Sequence, residues 1–184
     1  MSEHSESFLR HLTELAERDR GALAHLRRSL GFPPGAYPPA FPSVERFVGH
    51  DQRADDPRRK ALYLTAGLFA AHPAHRAGTS FARALGRIGH DRQSPSIEQR
   101  FIALLGTEPD ELSYHLRQGI SLLAADDAPC DYARLLDDLS QWLNPFANEH
   151  RDQIRQRWAR DFYRSYDATG DEPAPSLAAN PALA

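Results

Sequence analysis

Cysteine, lysine and long apolar runs are the scarce features of this 184-residue chain. Cys130 is the only cysteine, so no internal disulfide can staple the fold and a hydrophobic core must hold it. Lys60 is the only lysine among 22 basic residues. The others are arginines, whose planar guanidinium fork suits phosphate and stacks on bases. The longest apolar stretch, residues 62–71, is interrupted by Thr65 and Gly67 and followed by His72. It falls short of the roughly 18 apolar residues needed to cross a bilayer. Residues 1–6 are polar and acidic, with no basic stretch leading into an apolar one, so a secretion signal is not expected and a cytoplasmic location is.

What is present is ordinary for a soluble globular chain: 41% hydrophobic and 26% charged residues, enough for one domain or two small ones. The net charge of −3 argues by itself against a nucleic-acid binder, but the charges are not evenly spread. Residues 18–60 carry 9 basic and 5 acidic side chains, and residues 76–100 carry 5 and 2. Acids gather at residues 1–17, at 108–138 and in the tail.

Strict alternation of apolar and polar residues is missing, and helical spacing recurs throughout. Phe8, Leu12 and Leu15 fall on one helix face, as do Leu23, Leu26 and Leu30 after a capping Asp19, with Gly31 as the stop. The proline-rich segment 32–42 cannot be regular helix and leads into a short helix near residues 44–48. Asp56-Pro57 and Ser94-Pro95 each pair a cap with proline at the first helical position. Thr79 or Ser80 opens a helix carrying Phe81, Leu85 and Ile88, and the second cap-proline pair leads to Ile97, Phe101 and Leu104. Thr107–Asp110 resembles a capping box for a helix with Leu112, Leu116, Ile120 and Leu123. Asp131 caps the next, with Leu135, Leu139 and Trp142, and a last helix holds Ile154, Trp158 and Phe162. The expectation is an all-α protein of eight or nine short helices in two small bundles, residues 1–75 and 76–166. A disordered acidic and Pro-Ala tail, residues 167–184, is expected to follow.

Catalytic patterns are not found. The glycines are scattered rather than gathered in a phosphate loop, and no His-Glu-x-x-His occurs. His72 and His75 have no cysteine or carboxylate close by and read as a polar loop. Asp126-Asp127 and Asp137-Asp138 are adjacent pairs that diverge by about 100° on a helix, so they read as caps and solvated surface. No metal or cofactor is expected. The placement of arginine is more informative. Arg83 and Arg87 lie opposite Phe81, Leu85 and Ile88; Arg157, Arg160 and Arg164 share a face of the last helix, with Arg151 and Arg155 flanking its seam. Arg27-Arg28 and Arg58-Arg59-Lys60 add two clusters. Repeated cations on several helices suit a groove that tracks a phosphate backbone without reading bases.

From Phe8 to Tyr166 the chain resembles the CasB family, the small subunit of the type I-E CRISPR surveillance complex Cascade. The matching pieces come in the family's order: Ala24-His-Leu-Arg-Arg28, Ala40-Phe-Pro-Ser-Val-Glu-Arg46-Phe, Asp56-Pro-Arg58-Arg59 and Gly78-Thr-Ser-Phe-Ala-Arg83-Ala-Leu. Glu98-Gln-Arg100-Phe, His115-Leu-Arg117-Gln, Ala133-Arg134-Leu-Leu, Trp142 and Trp158-Ala-Arg-Asp-Phe-Tyr163 complete the series. The resemblance implies a non-catalytic subunit of an RNA-guided antiviral complex. It would bind target and displaced DNA strands in an R-loop, beside guide RNA, other Cascade subunits and a second copy of itself. The basic positions that carry across are Arg27, Arg28, Arg46, Arg58, Arg83, Arg100, Arg117 and Arg134, with Arg134 also a candidate for helix pairing. The segment between Trp142 and Trp158 departs from the family pattern, and so does the long proline-rich loop. The competing function is a free-standing helical DNA-binding regulator. Only residues 79–100 could form its helix-turn-helix, and the Gly89–Pro95 connector is long for that motif.

Overall fold

Proline and capping side chains fix where most helices of this chain begin. The computed structural model describes residues 2–167, and among them every regular element is helical. In chain order these are α1 (Glu3–Arg18), α2 (Arg20–Ser29), the short α3 (Phe41–Val44) and α4 (Pro57–Ala71). Then follow α5 (Phe81–Asp91), α6 (Pro95–Leu105), α7 (Leu112–Ala125), α8 (Tyr132–Trp142) and α9 (Asn148–Tyr166). Single 3-10 turns flank α3. The tail expected beyond Asp167 lies outside the described residues.

Asp19, Asp56, Ser80 and Asp131 each accept a backbone N–H at the start of α2, α4, α5 and α8, as their positions predict. Two expected starts differ. Ser94 makes no capping bond, leaving Pro95 to set the first turn of α6. Thr107 does not cap α7: its hydroxyl donates to the Ala103 carbonyl at 3.0 Å, and the helix opens later, at Leu112.

Helix α4 is the centre of the molecule. Residues 61–70 are all buried, the signature of a helix surrounded by others rather than lying on a surface. It packs against α2, α7 and α8, so helices from both halves of the chain share one core. The other large contact joins α5 to α9. There Gly86 faces the backbone of Phe162, and a Cβ would stand 2.3 Å from that carbonyl oxygen. Trp142 and Trp158 meet at 5.1 Å, and Phe101 stacks on Phe162 at 4.1 Å.

The connector between α4 and α5 is stitched to the segment before α8. Cys130 N–H donates to Ala74 O (3.2 Å), Arg76 N–H to Cys130 O (3.1 Å) and Asp131 N–H to Thr79 O (2.7 Å). His72 Nε2 lies 2.8 Å from Ala128 O, and His75 Nδ1 accepts the Tyr132 N–H at 3.3 Å. Both histidines are therefore structural pins. The link between α5 and α6 is shorter than the sequence suggests, only residues 92–94, because α5 runs on through Gly89, which packs against Tyr166.

Candidate nucleic-acid interface

The arginines separate into two populations by what their guanidinium groups meet. One population is structural. Arg59 pairs with Glu45 at 2.5 Å and lies over the rings of Tyr63 and Phe41, at 4.9 and 6.0 Å. Arg151 is buried and donates to the carbonyls of Trp142 and Asn144. Arg155 donates to Thr107 O at 3.0 Å and lies over Trp142. Both were expected to flank the apolar seam of α9, and both are held by its packing rather than offered to solvent.

Two carboxylates expected to be solvated belong to the same framework. Asp138 is buried and accepts the indole N–H of Trp158 at 2.7 Å together with an Nη of Arg157. Burial pushes its carboxyl above the ordinary aspartate value, outweighing the indole hydrogen bond and the Arg157 charge. Arg157 is thus committed to α8, and of the expected arginine face on α9 only Arg160 and Arg164 remain exposed. Asp137 accepts from Ser2 and Ser5, tying the start of α1 to α8. The signal was in the spacing: Asp138 follows Leu135 by three and precedes Trp142 by four, so it shares their inward face.

The second population faces solvent. Arg28, Arg58, Arg83 and Arg100 are exposed, and none has an ion-pair partner among the described residues. Arg46 is exposed and donates only to Pro42 O, at 3.2 Å. Arg27 and Arg117 are exposed but each closes a helix end: Arg27 Nε donates to Ala70 O and Arg117 Nη1 to Leu30 O, both at 2.9 Å. Cations at helix C-termini are favoured by the dipole, so these two have a structural role as well. Arg134 is half-buried and pairs with Asp161 at 3.1 Å, where Ser80 also donates. It links α8 to α9, the helix-pairing role its apolar setting suggests.

Arg46 and Arg58 are brought together. They line an open groove of about 890 Å³ between the start of α1, residues 46–52 and the α8–α9 pair, with His4 and His150 on its walls. A second groove of about 480 Å³ shares Arg58 and continues past Arg53 to Phe146, which is 94% exposed. His4, Arg53, Phe146 and His150 carry no local sequence signal; only the packing of α1 and α9 against residues 46–58 puts them beside Arg58. Arg100 borders a shallow cavity of about 190 Å³ between α6 and α7.

The Cys130 thiol is buried, and burial pushes its pKa up to about 12, so it stays protonated at neutral pH. Among the described residues no three His, Cys, Asp or Glu side chains are placed to hold a metal. No described helix is long and apolar enough to cross a membrane.

Residues 22–163 match the family model of CRISPR-associated protein Cse2. A Cse2 protein of Thermus thermophilus is 43% identical over 144 residues, 77% of this chain and 78% of the relative. The chain belongs to the Cse2 family. The CasB resemblance of the sequence is thereby borne out: a crystal structure of CasB from M. ruber is 32% identical, with a TM-score of 0.73 over 91% of this chain and 96% of that one. A chain of a solved CRISPR RNA-guided surveillance complex, 21% identical, shares the fold at a TM-score of 0.73, covering 89% of this chain and 94% of that one. All eight arginines put forward from the sequence fall inside the segment that the Cse2 model matches.

Proposed function

We propose that this Cse2-family protein is a non-catalytic subunit of an RNA-guided surveillance complex that holds DNA strands by their phosphates. Its ligands are the target and displaced strands of an R-loop beside the guide RNA, and its protein partners are the other subunits and a second copy of itself. The setting is cytoplasmic. The observation that carries the reading is the sorting of the arginines: those needed by the fold are buried or paired, and Arg28, Arg46, Arg58, Arg83 and Arg100 are left facing solvent. Unpaired surface guanidinium groups add little to stability, but they bind phosphate readily and release counterions when they do. The solved surveillance complexes that share this fold support the assembly part of the reading.

The regulator alternative gains one feature from the structure, the three-residue link between α5 and α6, which is within the range of a helix-turn-helix. Family membership weighs against it, and so does the scatter of exposed arginines over α2, α4, α5 and α6 rather than along one recognition helix.

The test is to neutralise Arg46 and Arg58 together, with Arg59→Ala as the comparison. Loss of DNA affinity and of about 1.4 units of single-strand salt slope in Arg46→Ala/Arg58→Ala, with stability unchanged, is the expected result. Unchanged affinity and slope would remove the groove from the proposal.

A further inference from the structure

The proline-rich segment after α2 has a feature that backbone holding does not use. Phe32 stacks on Tyr37, with ring centroids 4.9 Å apart and planes inclined by 23°. His25, on α2, meets the other side of the sequence gap: its ring lies 6.2 Å from that of Tyr37, and its Nδ1 is 3.4 Å from the Tyr37 hydroxyl. The three rings thus form a row, His25–Tyr37–Phe32. Even in this stack Phe32 remains 47% exposed, so one ring face is open to a ligand.

The row is mounted stiffly. The Phe32 N–H bonds Ser29 O at 3.0 Å, continuing the turn of α2, and Ala40 N–H bonds Tyr37 O at 3.1 Å. Pro33, Pro34, Pro38 and Pro39 restrict the backbone between. Gly35, at φ 81°, lets the loop close on α4: a Cβ there would stand 2.4 Å from Arg59 Nη1. Ala40 and Val44 are fully buried and anchor the far end. A ring held in place before binding loses little entropy on binding.

The local sequence is one-sided in charge. Arg28 follows His25 by three residues on α2, shortly before Phe32, and is exposed. Arg117 reaches the same helix end through Leu30 O. From residue 20 to residue 44 the chain contains no aspartate or glutamate. An aromatic face on a basic segment is complementary to a base and its phosphate.

We propose that the His25–Tyr37–Phe32 row is a stacking site for an unpaired base of single-stranded nucleic acid, with Arg28 taking the adjoining phosphate. This rests on the nucleic-acid reading above and extends it from backbone to base face. Stacking is blind to base identity, since every base has a π-face, so the site holds a strand without reading it.

The full-length protein is titrated with a single-stranded oligonucleotide and with one of equal length whose central nucleotides are abasic. The two share a phosphate backbone and differ in stacking. Wild type is expected to favour the base-containing strand by about fivefold or more. Phe32→Leu, at an exposed position, should abolish that preference with its salt slope unchanged, and Phe32→Trp should restore it. Arg28→Ala should lower the slope by about 0.7 and keep the preference. Equal binding of both strands by wild type, with a steep salt slope, overturns the stacking site and leaves the backbone reading standing. No binding of either strand overturns both. If Phe32→Leu spares DNA binding yet prevents assembly with the other subunits, the row is a protein contact and the proposal fails.

Discussion

Arg58 and Arg59 are neighbours in sequence with opposite roles. Arg59 is drawn beneath the loop by Glu45, Tyr63 and Phe41, whereas Arg58 stands at the junction of two grooves. Arg59→Ala is expected to destabilise the protein by about 1.5 kcal/mol in urea denaturation, because it removes packing and leaves Glu45 without its cation. Arg58→Ala should change stability by less than about 0.5 kcal/mol and weaken DNA binding. Glu45 also gives a pH dependence. Burial alone would raise its carboxyl, but the Tyr63 hydroxyl and the Arg59 guanidinium together hold it below the ordinary glutamate value. A depressed acid stabilises the fold above its unfolded value, and this is lost as pH falls through the folded one. The stability advantage of wild type over Glu45→Gln should therefore shrink as pH is lowered from about 4.5, as followed by denaturation at a series of pH values. An advantage that grows on acidification would contradict this account. The sequence grouped Arg58, Arg59 and Lys60 as one cluster. It could not separate them, because the partner that claims Arg59 lies 14 residues away.

At the scale of the helix, what was legible was local. The capping bonds of Asp19, Asp56, Ser80 and Asp131 reach only two or three residues along the chain, so they can be read without knowing the fold; the longer-range bonds of Ser80 to Asp161 and of Gly78 N–H to Asp131 cannot. Thr107, a residue type equally suited to capping and in the same kind of position, fails as a cap. Its hydroxyl bonds back to Ala103, and its carbonyl is taken by Arg155 from α9, a partner 48 residues away. The link after α5 is hidden from the sequence for a similar reason: Gly89 reads as a helix stop, but it packs against Tyr166 and the helix continues. The α5–α9 contact is tight enough to be tested by one methyl group. Gly86→Ala places Cβ against the Phe162 carbonyl, and a loss of about 3 kcal/mol is expected in chemical denaturation. A change below about 1 kcal/mol would mean that the helices can separate at little cost.

On the scale of the molecule, the all-helical class and the family were legible from spacing and motif order, and the surface was only half so. The sequence showed where arginines were and marked Arg134 for helix pairing; it did not show that Arg151, Arg155 and Arg157 are committed to the α8–α9 framework. Buried polar partners came from distant segments, whereas the capping bonds themselves are local. The proposed 1–75 and 76–166 bundles share the α4 core and the stitched connector, so they are expected to unfold in a single transition seen alike by fluorescence and circular dichroism. Two separated transitions would show independent units. The central claim is that exposed arginines grip phosphate without reading sequence. It is tested most directly by titrating the protein with single- and double-stranded DNA of unrelated sequences over a range of salt. The account predicts affinities independent of sequence that fall steeply with salt, each neutralised phosphate contributing about 0.7 to the single-strand slope and about 0.9 to the duplex slope. Strong preference for one sequence, or binding indifferent to salt, would contradict it.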